Sequence, residues 1–198
     1  MTQEERRRAL IQFLLAERQE SDVPLPTDEA GQKRLLRGLM NVRPPLPIGQ
    51  DFLRLQDEYL QEELRRRGVT DWRTLPPVRE GLCLWRGDIT TLRCDAIVNA
   101  ANSAMLGCFY PCHGCIDNAI HTFAGVQLRL ELNGQMERQG YDEPVGQARL
   151  THAFNLPCRY VLHTVGPCVG GRLTEAHRAA LASCYRACLE TADRHGLE

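Results

Sequence analysis

Four side chains that bind soft metal ions lie close together in the stretch 107–115, which reads GCFYPCHGC. They are Cys108, Cys112, His113 and Cys115. Glycine and proline punctuate this stretch, which is typical of a loop. The loop follows a short apolar run that ends at Asn99, and it precedes residues that predict a helix. Thiol and imidazole ligands between a strand and a helix indicate a metal site or a thiol site.

Three of these residues form the pattern C-x4-H-x-C, which suits zinc. Cys108, His113 and Cys115 would supply two thiolates and one imidazole and leave a fourth tetrahedral position open, which is the catalytic arrangement. If Cys112 also binds, the site has three cysteines and one histidine, and it is closed and structural. Adjacent side chains in extended structure point to opposite sides, so the neighbours Cys112 and His113 favour three ligands over four. A metal-free redox pair, Cys112 and Cys115 at a helix N-terminus, ranks last because the chain lacks the strand, C-x-x-C and long-helix pattern.

The other cysteines need a separate interpretation, since the chain has 9 Cys and 6 His in all. The first residues lack the apolar core of a secretory signal, which predicts a reducing, cytoplasmic location. Clustered cysteines there indicate metal or thiol chemistry and not a disulfide framework. Free cysteine is a small hydrophobe, so we expect core packing for the cysteines outside the cluster. These are Cys83, Cys94, Cys158, Cys168, Cys184 and Cys188.

Charge and hydropathy exclude some classes of partner. The formal net charge of −1 gives no broad basic field, so the sequence predicts no nucleic-acid partner. No apolar run is long enough to cross a bilayer, so we expect no membrane partner either. The length of 198 residues suits one medium domain with an appendage.

The first part of the chain, 1–75, predicts an all-helical extension. Apolar residues at helical spacing predict helices over 3–20, from a cap at Thr27 to before Pro44, and over 50–67. The run Arg65-Arg66-Arg67 is interpreted as a solvated helix end that complements the helix dipole. No catalytic grouping lies in this extension, so we expect it to pack on the site or to cover it.

From residue 76 the pattern changes to strands that alternate with helices. Strands are predicted over 81–86, 94–99, 148–152 and 159–164, with helices over 115–138 and, after a cap at Thr174, over 175–195. Alternation of this kind predicts an α/β sheet with function at the carboxyl ends of the strands.

Three motifs in this part resemble the macrodomain family. They are Gly87-Asp88-Ile89-Thr90; Asp95-Ala96-Ile97-Val98-Asn99-Ala100-Ala101-Asn102-Ser103; and Ile116-Asp117-x-Ala119-Ile120-His121 with Ala124-Gly125. The family consists of ADP-ribose-binding α/β domains, many of which hydrolyse ADP-ribosyl groups from proteins. A run of glycines usually stands where this chain has the cysteine loop. That change resembles the zinc-dependent microbial subclass, found beside sirtuin-type ADP-ribosyltransferases and lipoate-linked proteins, in which the positions of Cys108, His113 and Cys115 hold the ion.

The resemblance implies a fold and two domains. We expect a macrodomain-like mixed sheet flanked by helices over 76–198, preceded by the helical extension 1–75. In the family another strand and a second glycine-rich phosphate loop follow the last helix, and these are absent from the residues up to Glu198.

The resemblance also implies roles for single residues. Asp88 would bind adenine with support from the backbone of Ile89, and Asn102 would orient the distal ribose and the scissile bond. Asp117 would contact that ribose or an attacking water. The remaining substrate-binding residues by this resemblance are Asn99, which supports the loop, Ala101 and Gly107. From the residues alone, Asp88 is a turn former, the asparagines are turn formers or caps, and Asp117 satisfies the helix dipole.

His121 lies one turn after Asp117 on the predicted helix. We interpret it as a packed residue hydrogen-bonded to the backbone, with a role behind the metal ligands as the alternative. The function predicted is zinc-dependent removal of ADP-ribose from protein side chains. The substrate is an ADP-ribosylated protein, for which a lipoate carrier is one candidate. The alternative function is a non-catalytic ADP-ribose reader in which zinc only braces the loop.

Overall fold

A computed structural model describes residues 1–198. The α-helices are α1 (Gln3–Glu17), α2 (Glu29–Val42), α3 (Gln50–Arg67), α4 (Ile116–Ala124), α5 (Val126–Gln139) and α6 (Glu175–Arg194). The strands are β1 (Thr70–Asp71), β2 (Pro77–Arg79), β3 (Leu82–Cys83), β4 (Leu92–Arg93), β5 (Ala96–Ala101), β6 (Ala148–His152) and β7 (Tyr160–Val165). No helix is both long enough and apolar enough to cross a membrane.

The three predicted N-terminal helices are confirmed, and they share one apolar core. Leu10 and Ile11 of α1, Leu36 of α2 and Phe52 of α3 are buried together. Val126 at the start of α5 belongs to the same cluster, so the extension packs directly on the α/β part. The prediction that Thr27 caps α2 is wrong. The cap is Asp28, whose carboxylate accepts a hydrogen bond from the Gly31 N–H at 2.8 Å.

The main sheet is mixed, as predicted, with the strand order β5-β7-β6. β5 runs parallel to β7, and β6 runs antiparallel to β7. A second apolar cluster fills the space between this sheet and helices α4 and α5, and it includes Ile97, Ile120, Leu128 and Val161. The sheet therefore fixes the end of β5 and the start of α4 on a rigid base.

Two predicted elements differ from the observed ones. The strand predicted over 81–86 is only the two-residue β3, which pairs with β2 in a local hairpin. Its apolar residues pack on nothing large, since Leu82 is 57% exposed and Leu84 is 79% exposed. The single helix predicted over 115–138 is two helices, because Gly125 lies at φ 96° between them. The side-chain oxygen of Gln56 accepts a hydrogen bond from the Val126 N–H at this break.

The predicted burial of the isolated cysteines holds for only part of the set. Cys158, Cys184 and Cys188 are buried, and Cys94 is half-buried. Cys83 and Cys168 are exposed, so core packing is wrong for these two. Cys83 lies in the exposed hairpin and Cys168 in the loop after β7, where no second layer covers them.

Candidate active site and metal centre

The loop between β5 and α4 brings three possible metal donors together. The donor atoms of Cys108, His113 and Cys115 all lie within 4.8 Å of one another. Cys108 Sγ lies 3.7 Å from His113 Nδ1. Around a tetrahedral zinc ion, bond lengths of about 2.3 Å to sulfur and about 2.0 Å to nitrogen place those two donors roughly 3.5 Å apart. The spacing of Cys108 and His113 therefore matches a tetrahedral zinc site, and Cys115 is close enough to supply a third donor.

Cys112 lies outside this group because its backbone turns the side chain away. Its φ is +55°, in the left-handed region. Its Sγ donates a hydrogen bond to the Arg34 carbonyl of α2 at 3.3 Å, and its N–H donates to Asn41 Oδ1 at 2.9 Å. This geometry favours a site with three protein donors over one with four.

Cys115 also begins α4, since its Sγ accepts a hydrogen bond from the Asn118 N–H at 3.4 Å. Burial raises the pKa of the Cys115 thiol, and the neighbouring Cys108 thiol raises it further, against the opposing Asn118 hydrogen bond. The raised pKa of the Cys115 thiol suits a divalent cation nearby, because such a cation favours the thiolate. The chemistry of the donor set thus agrees with its geometry.

The predicted catalytic and loop residues lie directly beside this group. Asn99 is fully buried, and its Nδ2 donates to Asp117 Oδ1 at 2.8 Å. Asn102 Nδ2 lies 3.1 Å from the Gly107 carbonyl oxygen and 3.4 Å from Asp117 Oδ2. Asp117 is only 5% exposed, and this burial raises the pKa of its carboxyl. Two amides that end or follow β5 therefore hold one buried carboxylate on the first turn of α4.

His121 is packed as predicted, but the predicted hydrogen bond to the backbone is wrong. Neither ring nitrogen has a hydrogen-bond partner. Its Nε2 lies 3.6 Å from Asp117 Oδ1, and burial holds the pKa of the ring well below its ordinary value. The ring rests against Gly107, where a Cβ atom would lie 2.7 Å from it. Gly107 thus allows the loop to cross the face of α4 closely.

Asp88 shapes a turn in this structure. It begins the short 3-10 turn Ile89–Thr91, and its Oδ1 accepts hydrogen bonds from the Thr90 N–H at 2.9 Å and the Thr90 hydroxyl at 2.7 Å. The turn packs against α4. Ala101 ends β5 opposite Val165 of β7. Adenine binding by Asp88 and Ile89, and substrate contact by Ala101, remain predictions.

Arg67 corrects the interpretation of the basic run at the end of α3. Arg65 and Arg66 are exposed and pair with Glu62 on their own helix, as a solvated helix end should. Arg67 instead binds Asp88 Oδ2 at 3.1 Å, and its guanidinium lies 3.7 Å from the centre of the Phe123 ring. The extension therefore contacts the predicted adenine-binding turn.

Sequence reasoning missed His163. This fully buried residue of β7 lies opposite Asn99 in the parallel register. Its Nδ1 lies 3.1 Å from Asn99 Nδ2, and its Nε2 lies 2.9 Å from the Thr151 hydroxyl. Because Asn99 Nδ2 is a donor, Nδ1 accepts and the ring proton is on Nε2. Burial lowers the pKa of His163 to about 3, so the ring stays neutral. Pairing of the two predicted strands was the signal that could have found it.

Sequence reasoning also missed Arg37 and Asn118, which join α2 to the loop 107–115. Arg37 Nη2 lies 2.7 Å from Asn118 Oδ1 and 3.0 Å from the His113 carbonyl oxygen. The two residues are separated by 81 positions, and no local pattern marks either one.

Known proteins resemble this chain over its whole length. The family model described as Macro domain matches residues 98–198. A protein-ADP-ribose hydrolase from Treponema medium is 55% identical, and the match covers 100% of this chain and 78% of that protein. Other relatives with the same name are 45–46% identical over 95% of the chain.

Solved structures give the same result at the level of the fold. The Trypanosoma brucei macrodomain in complex with ADP is 31% identical, with a TM-score of 0.57 over 83% of this chain and 70% of that one. A mutant Oceanobacillus iheyensis macrodomain with ADPR is 36% identical, with a TM-score of 0.51 over 57% of this chain. The chain spans 58% of that second structure. By the family model, by its relatives and by its fold, the chain belongs to the macro domain family, in a group whose members are named protein-ADP-ribose hydrolases.

Proposed function

We propose that the chain hydrolyses ADP-ribosyl groups from protein side chains with the help of one zinc ion. Cys108, His113 and Cys115 would hold the ion, and Asn102 and Asp117 would act on the distal ribose. The observation that carries this proposal is the short path between the two sets. The Asn102 amide binds the Gly107 carbonyl, and Gly107 is bonded to the first of the three donors.

The residues divide the work of binding and bond cleavage. Asn102 orients a hydroxyl of the distal ribose, and Asp117 accepts a hydrogen bond from that ribose or from the attacking water. A zinc ion held by Cys108, His113 and Cys115 would supply Lewis-acid stabilisation of charge at the bond that breaks. Water adds to the ribose, and the products are ADP-ribose and the free side chain.

The rest of the substrate would lie along the end of β5 and the start of α4. The N-terminus of α4 directs backbone N–H groups and the positive end of the helix dipole toward the loop, which suits a pyrophosphate. Asp88 and the Ile89 backbone would contact adenine, while Asn99, Ala101 and Gly107 would shape the ribose and phosphate path. The names of two solved relatives, one with ADPR and one with ADP, support a ligand of this class.

The proposal extends to partners and location. The substrate is an ADP-ribosylated protein, and a lipoate-carrier protein modified by a sirtuin-type transferase is the candidate that the zinc subclass suggests. The proposed location is the cytoplasm, where thiols stay reduced and can bind a metal ion.

The test is zinc content measured together with ADP-ribose release from a modified protein. Wild type should carry about one zinc per chain and release ADP-ribose. Cys115→Ala should lose both zinc and turnover, whereas Asn102→Ala should keep its zinc and lose turnover. Wild type that binds zinc and ADP-ribose without any release would overturn the hydrolase and leave a reader module with a structural ion.

A further inference from the structure

Asn118 is not one of the three possible metal donors, but its side chain contacts the loop 107–115 that carries them. It is fully buried on the first turn of α4. Its Nδ2 donates to the carbonyl oxygens of Cys108 at 3.4 Å and Tyr110 at 3.0 Å. Its backbone N–H donates to Cys115 Sγ. One residue therefore contacts the segments that carry two of the three donors.

The third donor residue, His113, is held by Arg37 of α2. The Nε and Nη2 atoms of Arg37 lie 3.2 and 2.7 Å from Asn118 Oδ1. The same Nη2 donates to the His113 carbonyl oxygen at 3.0 Å. The guanidinium and the amide together thus hold the backbone at Cys108 and His113 and the sulfur of Cys115.

We propose that Arg37 and Asn118 are positioning residues that fix the three donors in the arrangement that binds zinc, so that the helical extension is part of the metal site. This inference rests on the proposed zinc site. Partners of metal ligands orient them before the ion arrives, and their loss typically weakens metal affinity by about 10–100-fold. Without them the ion itself must order the loop, and the cost of that ordering lowers the affinity.

The residue types at both positions fit this role. The Asn118 side chain uses both of its donors and its acceptor, so no isosteric residue can replace it completely. Arg37 needs the planar fork of a guanidinium to reach one amide oxygen with two N–H groups while it also binds a carbonyl. A lysine ammonium has the same charge but lacks that fork.

A second set of contacts keeps α2 in place against the loop. Asn41 accepts the Cys112 N–H and donates from Nδ2 to the Thr122 hydroxyl of α4 at 2.9 Å. These bonds hold α2 at the distance that Arg37 requires. The helical extension therefore contributes to the structure of the loop 107–115 and does not only cover it.

The experiment measures zinc affinity by competition with a chelator of known affinity, in the full chain. Arg37→Lys and Asn118→Asp are the variants, and Arg34→Lys is the matched control, because the Arg34 side chain on the same helix is exposed. Both variants should bind zinc at least tenfold more weakly than wild type, and the control should match wild type within twofold. Cobalt-loaded Arg37→Lys should also show an altered ligand-field spectrum.

The outcomes separate this inference from the proposed activity. Affinities of both variants within twofold of wild type would overturn it, as would a wild type without bound zinc. Arg37→Lys keeps the charge and should fold, which thermal unfolding of the metal-free protein checks. If zinc-loaded wild type releases no ADP-ribose while the variants still bind zinc weakly, the hydrolase fails and the positioning role stands.

Discussion

Asn99 donates from Nδ2 to Asp117 Oδ1 at 2.8 Å, and this buried bond ties the end of β5 to the first turn of α4. The same amide nitrogen reaches His163 Nδ1 on the neighbouring strand at 3.1 Å. A single amide thus fixes the orientation of a carboxylate that the proposed reaction uses.

Replacement of Asn99 should therefore affect stability and turnover together. Asn99→Ala leaves two buried acceptor atoms, Asp117 Oδ1 and His163 Nδ1, without their donor, which costs about 1–3 kcal/mol per atom in the free energy of unfolding. Denaturant unfolding and ADP-ribose release measure the two effects, and zinc content should not change. Thr151→Val is the comparison, since it removes the other partner of His163 at a distance from the site. A loss below about 0.5 kcal/mol in Asn99→Ala would contradict this account.

Gly107→Ala should destabilise the loop by about 1–3 kcal/mol. The residue lies at φ +79°, and the added Cβ would lie 2.7 Å from the His121 ring. Chemical unfolding is the measurement. Gly114→Ala, in the same loop, is the matched control because nothing lies within 4 Å of its Cβ position, so its stability should stay within about 0.5 kcal/mol of wild type. Equal effects of the two substitutions would show that the contact with His121 is unimportant.

Cys112→Ser should leave about one zinc per chain. Its Sγ faces the Arg34 carbonyl, and a serine hydroxyl can donate to the same oxygen. Cys115→Ser should lose zinc, because an alcohol is a much poorer zinc ligand than a thiolate. Elemental analysis of the purified variants decides the question. Loss of zinc from Cys112→Ser would indicate that Cys112 is a fourth donor and that the site is closed.

Stability of the metal-free protein should decrease in acid, partly through His163. Burial lowers the pKa of His163 from an ordinary value of 6.5 to about 3. Between these two values the unfolded state is protonated at this histidine and the folded state is not. The stabilisation is present above pH 6.5 and is lost as the pH falls toward 3. Between pH 7.5 and pH 5 this one group should cost about 2 kcal/mol.

The His163→Gln variant isolates that contribution, since it removes the titrating group and keeps an oxygen acceptor for Asn99. The gap in unfolding free energy between wild type and His163→Gln should narrow by about 2 kcal/mol from pH 7.5 to pH 5. Denaturant titrations in the presence of a chelator exclude zinc release as the cause. A gap that does not change with pH would mean that His163 keeps its ordinary affinity for protons.

The sequence predicts the mixed sheet and most of the helices because the apolar residues of those elements recur at the spacing of their structure. Ile97 and Val161 are inward-facing residues of paired strands, and both are buried. An apolar run does not predict a buried strand when nothing packs on it. Leu82 and Leu84 are apolar but exposed. The break at Gly125 was missed because the residue that accommodates it, Gln56, comes from another helix.

The donor loop could be predicted from sequence because its residues are close together in the chain and chemically distinctive. The residues that hold it could not, since Arg37 and Asn41 are ordinary polar residues of α2 in the sequence. Only the packing of α2 on α4 gives them a role, and packing of that kind has no signature in a single sequence. For Asp88 the residue type alone predicted the turn that the structure shows. Its predicted contact with adenine needs a separate test.

The difference in chain separation between the donors and the residues that hold them has a consequence for folding. Residues 108–115 can come together early, since closing a short loop costs little entropy. The contact of Arg37 with Asn118 spans 81 positions and must wait for α2 to dock. With the proposed zinc site, a nascent chain would bind the ion weakly at first and tightly only after α2 has docked, so that the rate of zinc exchange would report the progress of folding.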